Sequence, residues 1–432
     1  MKTEFPKRRI DTLGRIITGK TPKTSEPGNF GGRYPFITIP DLGSAALVRQ
    51  TERTLSEEGA NCIKTSRLPA GAIMMSCIAT VGKCGITTCE SFTNQQINTL
   101  IPSEGANPTF IYYAFLLLKD DLETSGSGGA TYTNVSKSRF GELEIPYPPI
   151  KDQDGIAATL GALDDKIEVN RRMAATLEEM ARALYRSWFV DFDPVTARAQ
   201  GRAPAHMDPA TAALFPARLT DAGLPEGWEW HSFEDFYAVL ETGKRPKGGI
   251  SGVSEGIPSI GAESIKNLGS FDFGKTKLVP REFFEAMKKG RVSEGDILIY
   301  KDGGKPGELR PAATYVSGDF PFKEACINEH VFRVRLNEDL GQHFGFLALS
   351  SDHCMNQMRE LATGVAQPGL NQSAMKALSF LMPANPELLK TFGRFAQPLL
   401  DGCNEKAKES RTLATLRDAL LPKLMSGELR VR

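Results

Sequence analysis

The stretch TGKTPK, Thr18 to Lys23, returns as TGKRPK, Thr242 to Lys247. Behind each glycine stand side chains suited to a polyanion: Lys20, Thr21 and Lys23 in the first copy, Lys244, Arg245 and Lys247 in the second. Lysine ammoniums and loop amides meet phosphates. A single copy reads equally as a basic solvent-exposed turn; recurrence at matching places favours binding. TNQQIN, Thr93 to Asn98, presents Gln95 and Gln96, whose amides pair with adenine N7 and N6 in a major groove, a polar strand edge being the other reading. Further along, the glycine-rich run 125–130 precedes Thr131, Tyr132, Asn134 and Lys137, and the second copy offers Gly364, Gln367 and Asn371. Those segments are expected to order on a ligand, or to be flexible entries to a helix.

Catalytic patterns are missing. No GxxxxGK[ST], HExxH, GxSxG or strand-following GxGxxG occurs. No NPPY or DPPY tetrapeptide positions a flipped adenine for methylation; Asp193 is followed by Pro194 and Val195. The five histidines include no metal-like pair at helical spacing, and Cys77, Cys84 and Cys89 match no common zinc pattern. No cofactor or metal is therefore expected. Seven scattered cysteines without a CxxC pair fit reduced thiols in a cytosol. The first residues lack an apolar leader, and no run approaches the roughly 18 apolar residues that span a bilayer. A soluble, cytoplasmic protein is expected. Lys plus Arg and Asp plus Glu both number 52, so any polyanion binding must be local or shared with partners.

The elements that would position these side chains come in duplicate. TGKTPK and TGKRPK are related by 224 residues (243 − 19), and RLPAGAIMM from Arg67 meets RVSEGDILI from Arg291 at the same shift. NVSKSRFGELEIP from Asn134 pairs with NQSAMKALSFLMP from Asn371 at a shift of 237 (371 − 134). Short β-like runs (YPFITIP, GAIMMSC, GDILIY, HVFRVRL) alternate with Gly, Pro, Asn and Ser punctuation, and helix-period segments cover Pro108 to Leu122 and Gly341 to Leu361. Each half is thus an α+β module followed by a long helix.

In the first helix, Ile156, Leu160, Leu163, Ile167, Asn170, Ala174, Leu177, Ala181, Leu184 and Trp188 recur at alternating steps of four and three, a coiled-coil seam with one polar place. A helix lying on its own module is the competing reading. The second helix begins at Asn385 and Pro386 and continues a stripe through Leu389, Phe392, Phe395 or Ala396, Leu399, Cys403, Leu413, Leu416 and Leu420, with Pro398 and Pro422 expected to kink or end it. Lys151 to Asp193 carries six basic and nine acidic residues, Asn385 to Arg432 nine and six, so the rods have complementary net charges. Residue patterns leave parallel and antiparallel pairing open. Between the first helix and the second module, 195–225 is rich in Ala, Pro and Gly and reads as a partly ordered connector.

Taken together, these residues resemble the specificity subunits of Type I restriction-modification systems. The resemblance is carried by TGKTPKTSEPGNFGGRYPFITIPDLG, ATVGKCGITTCESFTNQQIN, SKSRFGELEIPYPPIKDQDGIAATLGALDDKIEVN, TLEEMARALYRSWFVDFDP and LRDALLPKLMSGELRV. It implies two target-recognition domains, at 1–150 and 226–384, with a central spacer helix at 151–194, a connector at 195–225 and a C-terminal spacer helix at 385–432. The helices would pair antiparallel in a pseudo-twofold internal repeat. It further implies that each domain reads half of a bipartite DNA site, and that the subunit docks two modification subunits that methylate adenine and motor-nuclease subunits that cleave unmodified DNA. Leu177, Leu184, Trp188, Phe189, Phe192, Leu413, Leu416 and Leu420 would then serve helix packing or partner docking, the aromatics capping the chain's own core being the alternative. Where the first module has ATVGKCGI the second has YKDGGKPGELRP, which predicts unlike half-sites. Two other classes compete: a self-sufficient DNA adenine methyltransferase and a stand-alone DNA-binding regulator.

Overall fold

The computed structural model describes residues 5–43, 45–124, 134–250, 252–268, 270–271, 276–302, 304–305, 308–363 and 369–431. The chain divides into two compact units, one formed by Met1–Val169 with Arg411–Arg432, the other by Asn170–Ser410.

In the first unit, Ile73–Ser76 (IMMS) and Cys84–Thr87 (CGIT) are buried along their whole length, as strands covered on both faces must be. They lie inside a five-stranded sheet whose order is Gly14–Thr18, Ile97–Pro102, Ile73–Ser76, Cys84–Thr87 and Leu47–Val48. Helix Pro108–Thr124 covers it through the buried rings of Phe110, Tyr113 and Phe115. A three-stranded sheet follows, in the order Arg53–Leu55, Phe30–Ile37, Phe92–Thr93, and Lys7–Arg9 pairs with Glu144–Pro146.

The second unit repeats this plan. Its four-stranded sheet runs Tyr237–Thr242, Val331–Leu336, Ile297–Tyr300, Ala312–Tyr315; its three-stranded sheet runs Lys277–Val279, Ile257–Ile260, Cys326–Ile327; and Glu229–Ser232 pairs with Ser379–Met382. The period between equivalent residues is 224 at Gly19 and Gly243 (243 − 19), 223 at Phe36 and Ser259 (259 − 36), and 224 again at Ser76 and Tyr300 (300 − 76). It is 234 at Phe92 and Cys326 (326 − 92), because the second unit inserts ten residues between those strands. The 237-residue pairing expected for Asn134 and Asn371 is corrected by the helix caps. Ser136 caps helix Lys137–Glu142 and Asn371 caps helix Gln372–Ala377, a shift of 235. Two NxS tripeptides had suggested the wrong alignment. The Gly341-to-Leu361 segment is two helices, Gln342–Leu349 and Asp352–Leu361, broken where Ser351 caps the second.

Each module leads into a helix of 40 residues, Ile150–Phe189 in the middle of the chain and Pro386–Met425 near its end. Within the first unit the two helices run antiparallel: Asp152 faces Arg430 and Asp164 faces Arg417. The same sense holds within the second unit, where Leu177 lies against Gly402 and Trp188 against Phe392. The terminal helix runs unbroken through Pro398 and Pro422, contrary to expectation. A proline inside a helix costs about 3 kcal/mol, and the fully buried Leu388, Phe392, Ala396, Leu400 and Cys403 outweigh that around Pro398. The seam takes Ala396 and leaves Phe395 at 47% exposure.

Trp188 and Phe189 are buried, Trp188 against Phe392 and Phe189 against Phe344, and Phe192 packs on the same core against Trp228. Leu177 and Leu184 join them. The aromatic end of the central helix therefore closes the second unit's own core. Leu420 packs on the first unit's core, Leu413 is half-buried, and Leu416 is exposed. Residues 195–225 hold helices Asp193–Ala199 and Pro209–Ala213 and bury Val195 and Phe215, so this stretch is built into the second unit's core.

Candidate nucleic-acid interface

Strand Gly14–Thr18 delivers the first basic loop. Its exit is fixed by Gly19 N–H donating to Ile97 O (3.1 Å) and Lys20 N–H donating to Thr93 O (2.9 Å). A Cβ on Gly19 would overlap the carbonyl oxygens of Thr93 and Asn94, so this close crossing requires glycine. The loop is thereby laid against the turn that carries Gln95 and Gln96. Thr21 Oγ1 donates to Gln95 Oε1 at 2.6 Å, and Gln95 is exposed. Gln96 is braced inside the turn, where its Oε1 accepts from Asn94 Nδ2 and its N–H donates to Asn94 Oδ1. Lys20 reaches Thr65 Oγ1, and the well-exposed Lys23 pairs loosely with Glu26 at 3.3 Å.

The second unit builds the same crossing. Gly243 N–H donates to Asn328 O (3.2 Å), and a Cβ there would overlap Ile327 O. Lys244 and Lys247 are exposed, and Arg245 Nε lies 2.7 Å from Glu329 Oε1. His330 follows, with Nδ1 2.8 Å from Asp302 Oδ2 and Nε2 3.4 Å from Glu329 Oε1. Asn328 Oδ1 accepts from His330 N–H as Asn94 Oδ1 accepts from Gln96 N–H. Asn328, Glu329 and His330 thus occupy the places of Asn94, Gln95 and Gln96. Sequence reading missed Glu329, His330 and Asp302, because INEH resembles TNQQ only after the ten-residue insertion is allowed for.

The remaining candidates are scattered more widely. Lys137 is exposed on the first turn of its helix, and Asn134 is exposed three residues earlier. Asn371 uses its Oδ1 to accept from Ala374 N–H (2.8 Å) as a helix cap. Tyr132 and Gln367, with the glycine-rich run 125–130 and Gly364, lie outside the described residues. Cys77 and Cys84 are buried while Cys89 is exposed, and burial pushes the Cys77 thiol up to about 11, away from the thiolate a metal would need. Among the described residues no group of three His, Cys, Asp or Glu could hold a metal ion, and no helix is long and apolar enough to cross a membrane.

Two modules of one topology, each presenting a glycine-crossed basic loop beside a polar turn, define a duplicated recognition protein. Residues 2–179 match the family described as "Type I restriction modification DNA specificity domain". Over 430 residues the chain is 27% identical to the Type I restriction enzyme MjaIX specificity subunit of Methanocaldococcus jannaschii, covering 98% of this chain and 93% of that one. Over 146 residues it is 40% identical to the Type I restriction enzyme HindI specificity subunit of Haemophilus influenzae, 33% of this chain and 31% of that one. The crystal structure of a Type I restriction-modification S subunit from M. genitalium shares the fold, with a TM-score of 0.56 at 16% identity, covering 98% of this chain and 96% of that one. Residues 2–179 thus match a Type I DNA specificity domain, and over nearly its whole length the chain is similar to specificity subunits of Type I restriction-modification systems.

Proposed function

We propose that the modules at 1–150 and 226–384 are target-recognition domains, each reading one half of an asymmetric bipartite DNA site for a cytoplasmic modification system. The observation that carries this reading is the shared crossing at Gly19 and Gly243, which presents different side chains on the same backbone frame. One frame with unlike readers suits one duplex with unlike half-sites. Lys20, Lys23, Lys137, Lys244 and Lys247 supply phosphate contacts, and Thr21, Gln95, Gln96, Arg245 and Asn371 face the grooves, joined by Tyr132, Asn134 and Gln367. The chain's formal charge is zero, so most phosphate neutralisation falls to partners. Those partners are two modification subunits, joined by motor-nuclease subunits. The two 40-residue helices set the spacer and offer the docking surface, and half-sites about one helical turn apart, roughly 34 Å, suit such rods.

Methylation mapping of DNA from cells that express the chain with its neighbouring modification subunits tests this reading. A bipartite asymmetric consensus is expected, and a continuous or palindromic one would refute it. Deleting one heptad from both helices is expected to change the spacer and leave each half-site intact. In a gel-shift assay the lone chain is expected to bind DNA weakly; tight selective binding without partners would favour a stand-alone regulator.

A further inference from the structure

The pairs Thr21–Gln95 and Arg245–Glu329 stand at one structural address in the two units. In each, the loop residue two places beyond the crossing glycine meets the turn residue one place beyond the buttressing asparagine. The chemistry differs. In the first unit the Thr21 hydroxyl donates to Gln95 Oε1, which fixes the amide plane and leaves the second lone pair of Oε1 and the Nε2 donors side by side. That is the pattern that pairs with adenine N6 and N7. In the second unit Glu329 holds Arg245 through Nε, which leaves the two terminal guanidinium nitrogens as a fork. That fork matches guanine O6 and N7. His330 lies between the two carboxylates, its Nε2 3.4 Å from Glu329 Oε1 and its Nδ1 2.8 Å from Asp302 Oδ2. Arg245 and Glu329 are 46% and 38% exposed, so the pair stays open to a ligand and is worth little as a structural ion pair.

We infer that these two pairs are homologous specificity determinants: Gln95 reads an A·T pair in one half-site, Arg245 reads a G·C pair in the other, and Thr21 and Glu329 are their positioning residues. The inference rests on the half-site reading proposed above and adds which residues read and which base-pair class each takes.

The test uses the full chain assembled with its modification subunits and scored by methylation sequencing. Thr21→Arg with Gln95→Glu, and separately Arg245→Thr with Glu329→Gln, exchange the two chemistries. Each exchange is expected to lower discrimination at a single base pair by about 5- to 150-fold. The affected pair is A·T in one half-site for the first exchange and G·C in the opposite half-site for the second, with the spacer unchanged. Thermal melting accompanies each variant. If an exchange unfolds the chain, the surface substitutions Gln95→Ala and Arg245→Gln decide on the same criterion. An unaltered consensus, both changes in one half-site, or a change at the other base-pair class overturns the inference while leaving the bipartite reading intact. A wild-type complex that yields no bipartite consensus defeats that reading itself, before any variant is compared.

Discussion

Arg417 Nη1 donates to Asp164 Oδ1 at 2.6 Å, joining the terminal helix to the central helix inside the first unit. The other carboxylate oxygen accepts from the buried Tyr113 hydroxyl, also at 2.6 Å, so Asp164 ties both helices to the module's own helix. With side chains 23% and 15% exposed, this pair is more shielded than an ordinary surface ion pair. Removing Asp164 leaves the buried Tyr113 hydroxyl without its acceptor and leaves Arg417 with only the exposed Asp418, to which its Nε and Nη2 donate. Asp164→Ala is expected to lower the stability of the first unit by about 2–4 kcal/mol. Asp164→Asn, which still accepts from Tyr113, is expected to cost less. Urea unfolding of the full chain, followed by hydrogen exchange in residues 411–432, measures both.

The crossings at Gly19 and Gly243 make a second prediction. A methyl group at either place meets backbone carbonyl oxygens, which cannot swing aside as a flexible side chain would. Gly19→Ala and Gly243→Ala are each expected to cost about 1–3 kcal/mol in the unit concerned. Each is also expected to blur methylation specificity in one half-site only. Gly161 is the control: nothing lies near its Cβ position in the central helix, so Gly161→Ala is expected to stabilise by about 0.5–1 kcal/mol.

His343 makes the second unit sensitive to acid. Burial lowers its pKa from the ordinary value, against the opposing influence of Asp401, and its Nε2 lies 3.3 Å from the Tyr315 hydroxyl. The folded unit therefore resists the proton that the unfolded chain accepts near pH 6.5. His343's contribution to stability is complete above that pH and is lost as pH falls from there through its lowered folded value. In denaturation curves between pH 7.5 and 5, His343→Gln is expected to reduce the slope; equal slopes would show that other groups set it.

How much of this was legible in the residues depends on the range of the signal. IMMS, ILIY and the four-three stripe of the central helix are local patterns, and each became the strand or helix it predicted. Antiparallel pairing was not legible from periodicity, because it depends on contacts such as Asp152 with Arg430, 278 residues apart. Pro398 misled because local backbone cost is visible in sequence, whereas the burial of Ala396 and Leu400 that offsets it is not. The two glycine loops were found from their letters. Their partners in the second unit were hidden by substitution of Gln95 with Glu329 and Gln96 with His330 behind an insertion. Leu416 continued the spacing of the stripe yet stands at 46% exposure, because periodicity marks a face and not which stretch of that face is covered.

Asn170, the one polar place in the central seam, is fully buried, with neither side-chain polar atom partnered. Such an orphaned amide penalises the native state by about 1–3 kcal/mol. Asn170→Leu should consequently raise the melting temperature, and a lower one would show that the amide is satisfied by solvent inside the protein. The deeper consequence is informational. Leucine and alanine tolerate a slipped zipper because every tooth resembles the next, whereas a lone amide marks one tooth as different, so that sacrificed stability becomes a penalty on misalignment.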